Sequence, residues 1–413
     1  MTRFGTALLF VVASGTVLQA GNWPAWRGPQ GIGVADEPDL PVRWSSTENV
    51  KWKTPLPGPG NSTPIVWNDR VFITQAGKDG KERSLICFDR DSGKPRWQQS
   101  TTHAAPEKTH DTNPQCASSP VTDGEVVAAW HGSAGLFVYD LGGKPLWQKD
   151  LGTFEHIWGY GSSPVLFENL LIQNAGPGLR AFVVAFDKQT GGEVWRREFS
   201  EAVSEKVDQF RGSWNTPVFY KEGDRTLMLL HLPSRLHALD PRTGESVWHC
   251  DGLGELAYTS PLVSDDGRTV VTMSGYKGPS MAVRTGGRGD VTATHRLWHN
   301  EGPKLNPQRV GTGVIVGDHV YILQDSAIAW CLELATGRIV WEERLGKSWS
   351  SMVHAGGRIY AIDMKGTTFV LDPSPEECKV LAENRLDELT RSSPAFSDGQ
   401  IFIRTYENLY CIE

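Results

Sequence analysis

Val184-Ala-Phe-Asp-Lys-Gln-Thr-Gly-Gly-Glu-Val-Trp195 and Leu236-His-Ala-Leu-Asp-Pro-Arg-Thr-Gly-Glu-Ser-Val-Trp248 are two copies of one pattern. An alternating apolar stretch runs into Asp, Thr-Gly follows, and Trp stands four residues after that Gly. Alternation with period two is a strand signal, Asp or Thr caps turn amides, and Gly supplies positive φ, so each copy reads as strand, tight turn, strand. Looser copies are Asp89-Arg-Asp-Ser-Gly93 before Trp97, Asp140-Leu-Gly-Gly143 before Trp147 and Glu333-Leu-Ala-Thr-Gly337 before Trp341. Trp52, Trp97, Trp147, Trp195, Trp248, Trp298 and Trp341 recur every 43 to 53 residues. A constant step of this length marks one supersecondary unit repeated many times, with each Trp expected to pack on the next unit.

The units also open alike: Ser62-Thr-Pro64, Ser118-Ser-Pro120, Ser162-Ser-Pro164, Asn215-Thr-Pro217, Thr259-Ser-Pro261 and Ser392-Ser-Pro394, with degenerate forms at Gly311-Thr-Gly313 and Ser350-Ser-Met352. Pro suits the first residue of a strand, where no ladder donor is required. Eight openings stand against seven Trp closures and Leu381. The last opening lacks a closing strand, and Val50-Lys-Trp-Lys53 lacks an opening. A ring in which the N-terminal strand completes the last unit resolves both, and closure removes exposed sheet edges. The expected fold is therefore all-β: an eight-bladed β-propeller of four-stranded antiparallel blades over 50–413. A linear β-solenoid would not need a four-strand meander.

Residues 1–20 read as a secretory signal, with Arg3 before the apolar Ala7–Ala13 and cleavage after Ala20. The apolar stretch is short for a membrane span, no Cys near the junction indicates a lipid anchor, and no transmembrane segment is expected in the mature chain. Residues 21–49 read as an irregular arm rich in Pro. An exported chain, periplasmic or extracellular, is expected, and a monomer. Export would permit disulfides, but Cys87, Cys331 and Cys411 hold the position that Ala185 and Ala238 hold in sibling units and read as small buried fillers. Cys116, Cys250 and Cys378 are the better candidates for a bridge. A net charge of −7 without a basic stripe argues against nucleic acid.

The Asp-x-x-Thr-Gly-x-x-x-Trp unit resembles the repeat of the pyrroloquinoline quinone (PQQ)-like β-propeller superfamily, of the WD40/YVTN-like kind, which includes quinoprotein alcohol dehydrogenases and BamB. Asn22-Trp-Pro-Ala-Trp-Arg-Gly-Pro29 further resembles exported members from planctomycete-type bacteria. The resemblance implies eight blades. For a dehydrogenase it would also imply PQQ and calcium, a vicinal Cys pair, and Glu and Asn ligands near an Asp. No vicinal Cys exists here and no ligand set can be matched, so PQQ and Ca²⁺ are unsupported by motif.

The loops before the first strand of each unit carry the candidate site: His110, Asn113, His156, Trp158, Trp214, Tyr258, Arg309 and Trp349, with Arg391 nearby. A ring would gather them at one channel mouth, where Arg pairs with carboxylates and aromatic rings stack. His110, Asp111 and His156 match no metal template, and no metal or catalytic residue is assigned. Arg284-Thr-Gly-Gly-Arg-Gly-Asp290 lacks the ending of a phosphate loop and fits an enlarged hairpin in the fifth unit. The leading reading is a binding or scaffold module with a small polar ligand or a protein partner at the channel mouth. The rival is a quinoprotein-like oxidoreductase.

Overall fold

The computed structural model describes residues 21–413, and the signal reading of residues 1–20 lies outside them. Eight antiparallel sheets follow one another along the chain: blades 1 to 7 within 65–102, 121–149, 165–198, 218–251, 262–300, 314–344 and 353–385, and blade 8 within 395–412. Blade 8 is completed by Val50–Pro55, which pairs antiparallel with Asn408–Ile412. The expected eight-bladed propeller, closed by the N-terminal strand, is the observed fold. Among the described residues the helices are one four-residue α-helix and three 3₁₀ turns.

The apolar core lies between blades rather than within them. Val127 and Ala129 of blade 2 pack with Phe72 and Leu85 of blade 1, and the same two-blade clusters recur around the ring. The repeat Trp works at these seams. Gly191 turns at φ +69°, and a Cβ there would lie 2.7 Å from the Trp147 ring of the preceding blade. The Trp147 indole N–H then donates to Lys188 O at 2.8 Å in the same turn. Trp52, Trp97, Trp195, Trp298 and Trp341 likewise donate to Arg90, Leu141, Pro241, Leu334 and Ser374 carbonyls of the next blade. Trp248 departs, donating to Tyr220 OH, because the enlarged hairpin stands where blade 5 would offer a tight turn.

A register shift precedes the Trp in each of these blades, and such a bulge re-aims a side chain. Directly across from Trp97, Trp341 and Trp52 stand Cys87, Cys331 and Cys411; across from Trp195 and Trp248 stand Ala185 and Ala238. The small residue makes room for the indole. All six cysteines are free, the bridge candidates Cys116, Cys250 and Cys378 included.

The second residue of each opening motif closes the ring. Backbone N–H groups donate to hydroxyls from Thr63 to Ser119, Ser119 to Ser163, Ser163 to Thr216, Thr216 to Ser260, Ser260 to Thr312, Thr312 to Ser351, Ser351 to Ser393, and Ser393 back to Thr63, at 2.8–3.1 Å. This circle explains why the degenerate openings still keep Thr312 and Ser351.

The arm is irregular but firmly stitched. Trp23 bridges to Val66, Val34–Ala35 pairs in parallel with blade 7, and Trp44 N–H donates to Asn384 Oδ1 at 2.9 Å. Between these points Arg27 enters the channel. Its buried guanidinium donates to carbonyls of Ile32 (2.6 Å), Gly313 (2.7 Å), Thr312 and Met352 (both 3.2 Å).

Candidate functional site

The connections that precede the first strands converge on a cavity of about 440 Å³. Its lower wall is the hydroxyl circle at Ser119, Ser163, Thr216, Ser351 and Ser393. Trp26, carried by the arm, also lines it, and its neighbour Arg27 is the residue held within the channel.

Of the eight residues expected at the mouth, His110, Asn113, Trp158, Trp214, Tyr258 and Trp349 line the cavity. Trp158, Trp214 and Tyr258 form one aromatic wall, with ring centroids 5.9 Å, 5.1 Å and 6.0 Å apart pairwise. Asn113 is a strut as well as a lining group: its Nδ2 donates to Trp158 O at 2.7 Å and Tyr160 O at 2.9 Å, and its Oδ1 accepts from Asn61. The loop carrying His110 and Asn113 is anchored by a wholly buried ion pair, Arg83 to Glu107 at 2.6 Å.

His156 and Arg309 do not line the cavity, a correction to the rim set. His156 is buried behind the wall, edge-on to Trp214 at 4.8 Å, with Nε2 against Gln209 O at 2.9 Å. Burial lowers its pKa, so it is a neutral packing group. Arg309 is buried and turned away, donating to Leu305 O at 2.7 Å and Asn306 Oδ1 at 3.2 Å. Sequence placed both in the right loops, but a loop position does not say which way a side chain turns. The reading also missed Asn61, Phe210, Tyr276 and Trp26, and from the 306–309 loop it chose Arg309 where Gln308 lines the cavity. Asn61 and Gln308 sit in the same pre-strand loops. Tyr276 comes from a connection within blade 5, and Trp26 from the arm, where the repeat gives no signal.

The charge of the cavity is one-sided. Among the described residues its lining holds no Asp or Glu, and its one Lys or Arg is Arg391. The Arg391 guanidinium lies over the Trp349 ring at 5.1 Å and the Tyr406 ring at 5.5 Å, and no carboxylate pairs with it among the described residues. Behind the wall Arg309 and Arg404 are also held by carbonyls, amides and hydroxyls alone. Burial pushes these two guanidiniums down, to about 9 and about 10, which leaves both charged at neutral pH. A cationic pocket in a chain of net charge −7 focuses its field on anions.

This donor set does not fit a calcium-bound quinone cofactor. Hard divalent ions need carboxylate and carbonyl oxygens, and among the described residues no carboxylate lines the cavity.

A family model described as "Outer membrane protein assembly factor BamB" matches residues 15–163 and 180–412. A protein of that name from Shewanella oneidensis is 24% identical over 267 residues, 54% of this chain and 67% of its own length. One from Kangiella koreensis is 26% identical over 142 residues, and the match spans about a third of each chain. Among solved structures, BamB from Moraxella catarrhalis superposes with a TM-score of 0.61 at 14% identity, covering 88% of this chain and 96% of that one. Quinohemoprotein alcohol dehydrogenase from Comamonas testosteroni gives 0.68 at 11% identity, covering 95% and 80%. At such identities the superpositions speak for the fold alone. The family match spans most of the chain, on the repeats and the ring described above: this protein belongs to the BamB-type family of PQQ-like β-propellers.

Proposed function

We propose that this propeller is an exported binding module, periplasmic or extracellular, that holds a small anionic ligand bearing a ring at its channel mouth. The observation that carries this reading is the pairing of an aromatic wall, Trp158, Trp214 and Tyr258, with an Arg391 that has no carboxylate partner in a cavity free of acidic side chains. Arg391 is the group to receive a carboxylate, held over the Trp349 ring and by the Tyr406 hydroxyl, to which its Nη1 donates. The aromatic wall takes the ring. Asn61, Gln308 and the hydroxyl circle supply further donors and acceptors. The volume is that of a site for one small molecule. The names of the relatives support export to the cell envelope.

The test is calorimetric titration with nicotinate, glucuronate and the uncharged nicotinamide and glucose. A carboxylate probe is expected to bind more tightly than its neutral counterpart, and Arg391→Ala should remove that preference, a loss of about tenfold or more for one charge-assisted hydrogen bond. Equal affinity for both members of each pair would contradict the reading. Titration with PQQ, with and without CaCl₂, should show no calcium-dependent binding.

A further inference from the structure

The Gly-rich run that ends at Asp290 has no part in the channel mouth. It leaves blade 5 between its third and fourth strands and returns along the edge of blade 4. There Gly289–Asp290 adds a fifth strand, parallel to Ser246–Asp251, with Gly289 beside Trp248 and Asp290 beside His249. Asp251 lies two residues beyond His249 and so on the same face of its strand. One ligand atom from each of His249, Asp251 and Asp290 falls within 4.8 Å of the others.

We propose that His249, Asp251 and Asp290 bind one divalent cation of the zinc class, which fastens the inserted strand to blade 4. The His249 ring makes no hydrogen bond or ion pair among the described residues, although two carboxylates face it; its ring neighbour is His237 at 6.1 Å. Asp251 is held by Arg235, whose Nη2 donates to its Oδ2 at 3.1 Å. The insertion orients both acids: Asp290 Oδ1 accepts from Thr292 N–H at 2.9 Å, and the Thr292 hydroxyl accepts from Asp251 N–H at 2.9 Å. Outer contacts of this kind fix metal ligands in place.

The donor set selects the ion. Zinc takes imidazole and carboxylate ligands at about 2.0–2.2 Å, with water filling an open position, whereas calcium and magnesium take oxygen ligands. The three donor atoms lie within 4.8 Å of one another, wider than their spacing around one zinc ion at about 2.0–2.2 Å, so side-chain rotation must accompany binding. Arg235 pairs with Asp251 at 2.8 Å and offsets one of the two negative charges. The site therefore keeps a net charge of −1 when His249 is neutral, and a dication remains attracted.

Metal-free full-length protein should be titrated with ZnCl₂ by calorimetry. One saturable site is expected, at least tenfold weaker in His249→Ala and in Asp290→Asn, and unchanged in His319→Ala on blade 6. MgCl₂ and CaCl₂ should not compete. Zinc should also slow tryptic cleavage at Arg284 and Arg288 in the parent but not in Asp290→Asn, which would tie the ion to the inserted strand. Equal melting temperatures of the metal-free variants would show that they fold. The proposal is overturned if no site saturates, or if the parent's zinc affinity survives in the His249→Ala/Asp290→Asn double variant.

Discussion

The backbone N–H of Ser393 donates to the hydroxyl of Thr63 at 3.1 Å, and this bond joins the last blade to the first. It is one link in an unbroken circle of eight, so each blade's first strand is tied to the next by the same chemistry. Arg404 adds a second tie across the same seam, from blade 8 to Ser62 Oγ at 2.9 Å and Gln75 Oε1 at 2.6 Å.

Thr63→Val keeps the shape of the side chain but leaves the buried Ser393 N–H without its acceptor. An orphaned buried donor costs about 1–3 kcal/mol. Equilibrium unfolding in urea should show that loss, and Thr63→Ser should restore most of it. A Val variant as stable as the parent would mean the circle does not contribute to closure.

The contact of Trp147 with Gly191 predicts non-additivity. Gly191→Ala places a methyl 2.7 Å from the indole at φ +69°, and backbone strain of this kind alone costs about 1–3 kcal/mol. Made in a Trp147→Ala background, the same substitution loses the clash and keeps only the strain. A double-mutant cycle should return a coupling above about 0.5 kcal/mol; independent effects would contradict the packing described.

Burial pushes the thiols of Cys87, Cys116 and Cys411 up to about 12 and those of Cys250, Cys331 and Cys378 up to about 11. The thiolate is the reactive form. Native protein should therefore react with a thiol reagent slowly, first at the half-buried Cys378, and all six should react after denaturation without reductant.

Two buried histidines set the acid limb of stability. Burial pushes His131 down to about 3, with Arg83 adding to the effect, and His231 down to about 4. The unfolded chain protonates them near their ordinary value of about 6.5. As pH falls below that value the unfolded state gains protons that the folded state refuses, so stability is full above about 6.5 and declines toward pH 4. Each histidine contributes a slope approaching about 1.4 kcal/mol per pH unit. Urea midpoints from pH 7.5 to 4.5 should show this decline, and it should be shallower in His231→Gln.

How much was legible follows from what repeats. The bond of Ser393 to Thr63 recurs eight times around the ring and the docking of Trp147 on the next blade's turn six times, so their pattern shows through in a single chain. Even the small residue opposite Trp, Cys87 in one blade and Ala185 in another, is visible as a position. The site is the part that does not repeat. Trp158, Trp214 and Trp349 could be placed because loop order fixes the mouth. The inward or outward turn of Arg309 against Arg391 is decided by neighbours from other blades. Trp26 enters from the arm, where no periodicity reports it, and Asp290 meets His249 only because an insertion crosses between blades.

The proposed binding site is the aromatic cavity at the channel mouth. Fluorine NMR on protein labelled with 5-fluorotryptophan tests it directly, because indoles at the cavity can be compared with indoles at the blade seams. Each resonance is assigned from a single Trp→Phe variant, and the protein is titrated with nicotinate and glucuronate. Trp158, Trp214 and Trp349 should shift in a saturable manner while the seam residues Trp52, Trp97, Trp147, Trp195, Trp298 and Trp341 stay in place, and Arg391→Ala should suppress the shifts. Saturable shifts confined to the seam residues, or none at Trp158, Trp214 and Trp349 with either probe, would contradict this binding site.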